Sequence, residues 1–236
     1  MTYVEHRPPS PLVPWLECSW ERQGNGGAPV RVLPDGCIDV VWTEGAGTQL
    51  VGANTTAFLV GVAPGVRVQG VRLRPGAAPS LLGVRPEEIC DVRAPVEDVW
   101  LAEGRRLTDA LASHAGGNAR HSLIDWLLVR ASSAAAPDPI VAAATTQLER
   151  AGVSVREVAA ELGVSERSLR RRVCAAVGYG PKRLARVLRL QRALGAARLG
   201  EELGRVAFDV GYADQSHFAN ECRMLAGASP SALISA

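Results

Sequence analysis

Lysine is nearly missing from this chain of 236 residues: Lys182 is the only one among its 26 basic side chains. Any polyanion the protein meets must therefore be met by arginine, whose planar guanidinium grips phosphate or a guanine edge with two donors where an ammonium is a point charge. Cysteine is scarce and scattered, at Cys18, Cys37, Cys90, Cys174 and Cys222. An odd number at such spacings argues against a disulfide framework and a zinc cluster, and suits reduced, buried thiols. Histidine is scarcer still. His6 is the only one before His114, so the first half lacks the His and carboxylate clusters of a metal-dependent barrel enzyme. No cofactor, no metal and no catalysis are expected. There is no apolar run of about 18 residues, and "MTYVEHRPPSP" lacks the charged-then-apolar layout of a signal peptide. The expectation is a soluble, cytoplasmic protein without a membrane partner.

What is present is unevenly distributed. At this length two domains are expected, each able to bury a core. Residues 140–236 hold 14 arginines or lysines against 9 acids, whereas residues 1–139 hold 12 against 15. The second half is therefore the candidate for a polyanionic partner, although a GC-rich coding bias would also enrich arginine and alanine. "SSAAAPDP", Ser132–Pro139, is a small-residue and proline-rich run that reads as a linker between domains of residues 1–131 and 140–236. Between Trp15 and Arg74 come short β-rich runs, "LECSWERQ", "VRVLPDGCIDVVW" and "VRVQGVRLR", parted by Gly and Pro turns. In the last of these the apolar residues change parity after Gly70, from Val66 and Val68 to Val71 and Leu73, which predicts a bulge at Gly70. From Pro79 to Ala131 the pattern turns helical, as in "SLIDWLLVR". The predicted fold class is α+β, a β-rich N-terminal domain with packed helices followed by an all-α domain.

The all-α half is a repeat. In "VSVREVAAELGVSERSLRRRVCAAV", Val155, Val158, Ala159 and Leu162 mark one helix face, and Ser154 with Glu157 forms a capping box. Gly163 makes a turn, Ser165 caps a second helix, and Leu169, Val173 and Val177 lie four apart on its inner side. Shifted by 48 residues, Leu203, Val206, Ala207 and Val210 repeat the first helix and Gly211 the turn. Shifted by 49, Asp214 repeats the cap, and Phe218, Cys222, Gly227, Pro230 and Leu233 follow. Two helix-turn-helix units, at about 154–177 and 203–226, are thus joined by "PKRLARVLRLQRALGAARL", a helical strut of roughly 27 Å. Two second helices held by such a strut can enter successive major grooves, roughly 34 Å apart. That spacing favours double-stranded DNA over a protein as the partner.

With "EVAAELGVSERSLRRRV", "GYGPKRL", "VAFDVGYADQSHFANECR" and "GASPSAL" in this order, residues 140–236 resemble the DNA-binding domain of the AraC/XylS family of bacterial transcription regulators. The resemblance implies base contacts from the exposed faces of the two second helices. On a helical wheel Arg167, Arg170 and Arg171 lie opposite Leu169 and Val173, with Arg172 towards the flank. Arginine pairs best with guanine, so the first half-site should favour guanine. The matching positions of the second unit are Gln215, Ser216, Ala219 and Asn220, beside His217, which is either a groove contact or a cap-region residue. Arg186, on the strut, should reach backbone phosphates only. Three places depart from the family pattern: Asn220 stands where Arg is common, Val173 and Cys222 replace Phe, and Gly180 replaces the Ser or Thr before proline. The first departure weakens the second unit's contact, so the first unit is expected to dominate specificity.

Residues 1–131 resemble, more loosely, an N-terminal domain found in some regulators of this family, through "PPSPLVPWLECSW", "RVLPDGCIDVVW" and "RLRPGAAPSLLGVRPEEICD". That likeness names no ligand; family proteins commonly carry an effector-binding or dimerisation domain there. Trp15, Trp20 and Trp42 are candidates to line an apolar pocket, with Arg67, Arg72 or Arg74 meeting an anionic effector. For any one of them, a core tryptophan or a solvated arginine is the simpler reading. The expected protein is a transcription regulator whose partners are promoter DNA, a small-molecule effector, a second copy of the chain and, if it activates, RNA polymerase. The alternative is a thiol-based redox sensor using Cys18, Cys37 or Cys90. Cys37, in "LPDGC", has no cationic neighbour in sequence to lower its pKa and reads as structural.

Overall fold

Alternating side chains give the first half a sheet that is covered on both faces. The computed structural model describes residues 3–27, 29–113 and 119–235, so His114 lies outside the described residues. The strands are β1 (Tyr3–His6), β2 (Leu16–Gln23), β3 (Val30–Val32), β4 (Ile38–Thr43), β5 (Gly47–Val51), β6 (Phe58–Val60), β7 (Arg67–Leu73) and β8 (Arg93–Pro95). Six of them form one antiparallel sheet in the order β1-β2-β7-β4-β5-β8, and β3 pairs with β6 as a separate ribbon. The helices α1 (Ala78–Leu82), α2 (Pro86–Ile89), α3 (Val96–Ser113, kinked at Leu101) and α4 (Ala119–Ala131) complete the half. In β4, Ile38, Val40 and Trp42 enter the core beneath these helices, while Asp39, Val41 and Thr43 line a cavity on the opposite face.

The expected bulge at Gly70 does not occur. β7 keeps an unbroken register against β4 from Leu73 to Val68, and the register shift between β2 and β7 lies at Leu16/Cys18 instead. The parity change has a different cause, because each face of the sheet needs its own apolar residues. Val71 and Leu73 pack under the helices, whereas Val68 packs beside Trp20 on the cavity side. Gly70 is small because the Trp20 indole lies across it, and a Cβ there would stand 2.6 Å from the ring.

The second half is helical throughout. Residues 132–138 carry no helix or strand, and α5 (Pro139–Leu148) opens on its N-cap Asp138, which accepts a hydrogen bond from the Ile140 amide. Then come α6 (Val155–Glu161), α7 (Glu166–Val177), α8 (Pro181–Arg198), α9 (Leu203–Asp209), α10 (Gln215–Ala226) and α11 (Pro230–Ile234). The capping box is complete on both sides, and Ser165 and Asp214 cap α7 and α10 at equivalent positions. The strut is the 18-residue α8, about 27 Å long.

The strut spans two cores. Its first turns, through Leu184 and Leu188, join Leu169, Val173 and Val177 to a core that continues into Leu81, Val40 and Leu73 of the first half. Its last turns, through Leu190 and Leu194, join Val206, Phe218 and Cys222 in a separate core, on which Leu33 and Ala57 also pack. The halves therefore touch at both units. At Gly178, the positive-φ C-cap of α7, a Cβ would stand 2.7 Å from the Pro86 carbonyl, so α2 docks directly on the end of that helix.

Candidate nucleic-acid interface

α7 buries Leu169, Val173 and Val177 and thereby turns Arg167, Arg170 and Arg171 outward, all three exposed. None of the three makes an ion pair among the described residues. Ser165 accepts from the Ser168 amide at the positive end of the helix, which leaves a capped, cation-bearing first turn suited to phosphate or base edges. Arg172 points to the flank as expected and pairs with Asp138 at 2.5 Å.

In the second unit Gln215, Ser216 and Asn220 are exposed and Ala219 is half-buried. Asn220 accepts from Arg223 at 2.8 Å. His217 has a local role: its Nδ1 accepts from the Ala213 amide, its own amide donates to Asp214, and its ring stands edge-on to Tyr212. Its ring stays exposed, so a groove contact is compatible with that role.

Arg186 has a partner within the protein. Its Nε and Nη2 donate to the carboxylate of Glu221 on α10, at 3.0 to 3.2 Å, and Arg189 donates to the same carboxylate at 3.1 Å. The guanidinium is engaged by an acid and stays about one-third exposed, at 34%. Glu221 is 4% exposed. Burial raises its pKa, but the donors from Arg186 and Arg189 outweigh that and hold it below the usual carboxylate range. Sequence reading missed this residue, although an acid between Phe218 and Cys222 on an inner helix face was a visible signal.

The cavity on the far side of the sheet measures about 630 Å³ and lies between β2, β4 and β7, the β3–β6 ribbon and the side chains of Gln191 and Arg198 on α8. Of the six residues expected to bind an effector, Trp20 and Arg72 line it. Trp15 and Trp42 lie in the core on the helix side, Trp15 donating to Ser80 at 3.0 Å. Arg67 pairs with Glu44 and Arg74 with Glu17, both outside the cavity. Alternation separates Arg72 from Arg67 along β7 and, across the register, Trp20 from Trp42. Arg72 is itself surrounded by Asp35 and Asp39 at 3.3 Å and Glu5 at 3.7 Å. The other cavity cations include Arg31 and Arg198, together with Arg22, whose buried Nε has no hydrogen-bond partner among the described residues, and Arg93, stacked 3.4 Å over the Phe58 ring. Burial lowers the pKa of Arg22 and Arg93.

The thiols of the first half are held protonated. Burial pushes Cys18 up to about 12, and burial followed by Asp35 raises Cys37 well above the usual thiol value. Cys90 is raised by burial and then by Asp91.

This is the geometry of a tandem helix-turn-helix protein, whose two second helices, one bearing arginines and one bearing amides, flank a shared strut. Residues 142–236 match the family model described as a helix-turn-helix domain, and residues 4–95 match a domain of unknown function (DUF6597). No curated protein matches the chain. Among solved structures, an AraC-type regulator from Chromobacterium violaceum is 23% identical, covering 41% of this chain and 90% of that one, with a TM-score of 0.39. The C-terminal domain of AraT, a response regulator from Geobacillus stearothermophilus, is 26% identical over 42% of this chain and 85% of its own, TM-score 0.38. An apo ToxT variant from Vibrio cholerae, 12% identical, covers 92% of this chain and 97% of its own at a TM-score of 0.51, and shares the fold across both halves. Residues 142–236 are a helix-turn-helix domain, and the whole chain shares its fold with the ToxT variant. No helix among the described residues is long and apolar enough to cross a membrane.

Proposed function

We propose that this chain is a sequence-specific transcription regulator whose first unit reads bases through Arg167, Arg170 and Arg171. The observation that carries the reading is the outward, unpaired display of these arginines on a capped helix, while Arg172, Arg186 and Arg189 are engaged by acids. Replacing Arg170 or Arg171 with Ala should cost about 1 to 3 kcal/mol on the cognate operator and relax base preference at one position. Lys182, exposed at the start of α8 beside Arg170, is the comparison. Lys182→Ala should weaken operator and scrambled duplex alike and reduce the salt slope by about one unit. Salt titrations on both duplexes measure this. Equal losses on both for Arg170→Ala and Arg171→Ala would remove the first unit as the specificity element.

The cavity supports control by a small effector with an apolar body and an anionic group. Trp20, Phe58 and the valines offer the apolar wall, and an anion beside Arg22 or Arg93 would restore the polar partner that burial removed. Because α8 contributes Gln191 and Arg198 to the wall, an occupant touches both halves. The full chain, melted against amphipathic carboxylates and the matching alcohols, tests it. A carboxylate at a hundredfold excess over Kd should add about 2.7 kcal/mol of stability, less in Arg22→Ala. Equal shifts with the alcohols would rule out an anionic effector. The redox alternative gains no support from thiols whose pKa values are all raised.

A further inference from the structure

Each recognition helix is tied by ion pairing to the helix that precedes its unit, and the tie falls at the same place. Arg172 of α7 and Glu221 of α10 are 49 residues apart and equivalent in the repeat. In the first unit Arg172 reaches Asp138, the N-cap of α5. In the second the polarity is reversed: the acid sits on the recognition helix and the arginines, Arg186 and Arg189, on the strut. The first pair is partly exposed, at 40% and 30% of the two side chains, whereas Glu221 is the only charged side chain buried in the core among the described residues.

A carboxylate in that position is tolerated because three guanidinium nitrogens donate to it. Directional donors also do what apolar packing does not. The packing of Phe218 and Cys222 has no directional donors or acceptors, whereas a carboxylate between two guanidinium groups has one good position. The network reaches further, since Arg189 also donates to the Gly211 carbonyl at 3.4 Å and lies 4.3 Å from the centre of the Tyr212 ring. Strut, turn and recognition helix of the second unit thus meet in one polar cluster.

We propose that Glu221 is the positioning residue of the second recognition helix, fixing the spacing at which Gln215, Ser216 and Asn220 meet DNA relative to the arginines of α7. The inference rests on the two-unit reading above. Its test uses the full chain and an operator selected from random duplexes, compared with the same duplex carrying one inserted base pair between half-sites and with one whose second half-site is scrambled. The wild type should lose about tenfold in affinity on the insertion, the effect of one mismatched contact. Glu221→Met supplies an apolar side chain of similar length and leaves the partly exposed Arg186 and Arg189 free to turn to solvent. It should bind the operator about tenfold more weakly, discriminate against the insertion by under about threefold, and bind the scrambled duplex as the wild type does. Glu221→Arg combined with Arg186→Glu restores a pair in the polarity of the first unit and should recover the discrimination, which a general loss of stability would not do. Glu221→Gln, the same shape without the charge, gives the same readout should the Met variant fail to fold. Full spacing discrimination in a folded Glu221→Met or Glu221→Gln protein overturns this inference alone. A wild type indifferent to both the second half-site and the insertion overturns the two-unit reading and this inference with it.

Discussion

Asp39 sits between two residues of the helix-side core, and strand alternation turns it to the cavity, where the Trp20 indole and the Arg72 guanidinium both donate to it. Burial is the largest influence and raises its pKa to about 6, with Arg72 opposing. In the unfolded chain the same group is an ordinary aspartate, so folding takes up a proton between the two values. Its contribution to stability is therefore full below the unfolded pKa and is lost as pH rises through about 6. Relative to Asp39→Asn, the wild type should gain about 1 kcal/mol between pH 7 and pH 5, measured by urea unfolding at pH 7, 6 and 5. A constant gap between the two proteins across that range would show that Asp39 does not titrate there. Nothing local in "GCIDVVW" announces this, because the burial comes from strands far along the chain.

Helices were the most legible elements. Period and caps are local properties, and Ser154, Ser165 and Asp214 cap the helices where the repeat placed them. Strand detail was less so: a parity change at Gly70 reads equally as a bulge or as a sheet packed on both faces, and only the partner surfaces distinguish the two. At α5 one residue has two separable jobs. Asp138 caps the helix through Oδ1 and pairs with Arg172 through Oδ2. Asp138→Ala should cost about 1 kcal/mol for the cap and up to about 1 kcal/mol more for the half-exposed pair. Asp138→Asn, which keeps the cap oxygen, should lose only the second part. Equal losses in denaturant unfolding would mean that the cap contributes nothing here.

Across the whole molecule the two halves meet through backbone as much as through side chains. Ala57 donates to the Leu225 carbonyl at 2.7 Å, Arg31 to Ala226 at 2.8 Å, and Gln191 to Pro34 at 2.6 Å. Two glycines measure the coupling between the first unit and the N-terminal half. Gly163 and Gly178 both have positive φ, but a Cβ at Gly163 meets nothing within 4 Å, whereas one at Gly178 meets Pro86 at 2.7 Å. Gly163→Ala should cost about 1 kcal/mol, the backbone penalty alone. Gly178→Ala should cost at least about 1 kcal/mol more, because α2 must shift from the end of α7. Losses of equal size in urea unfolding would show that the docked halves adjust freely.

The sequence by itself determined the tandem repeat, its caps and the outward arginines of α7, since helical period and N-cap chemistry act within a few residues of one another. The tertiary structure decided which face each strand residue took, and so that Trp20 lines the cavity while Trp15 and Trp42 lie in the core. It also decided that Arg186 pairs with Glu221, 35 residues away. A guanidinium on an exposed helix and one beside a buried acid look identical in a sequence, and they differ only once folding has removed water from the acid.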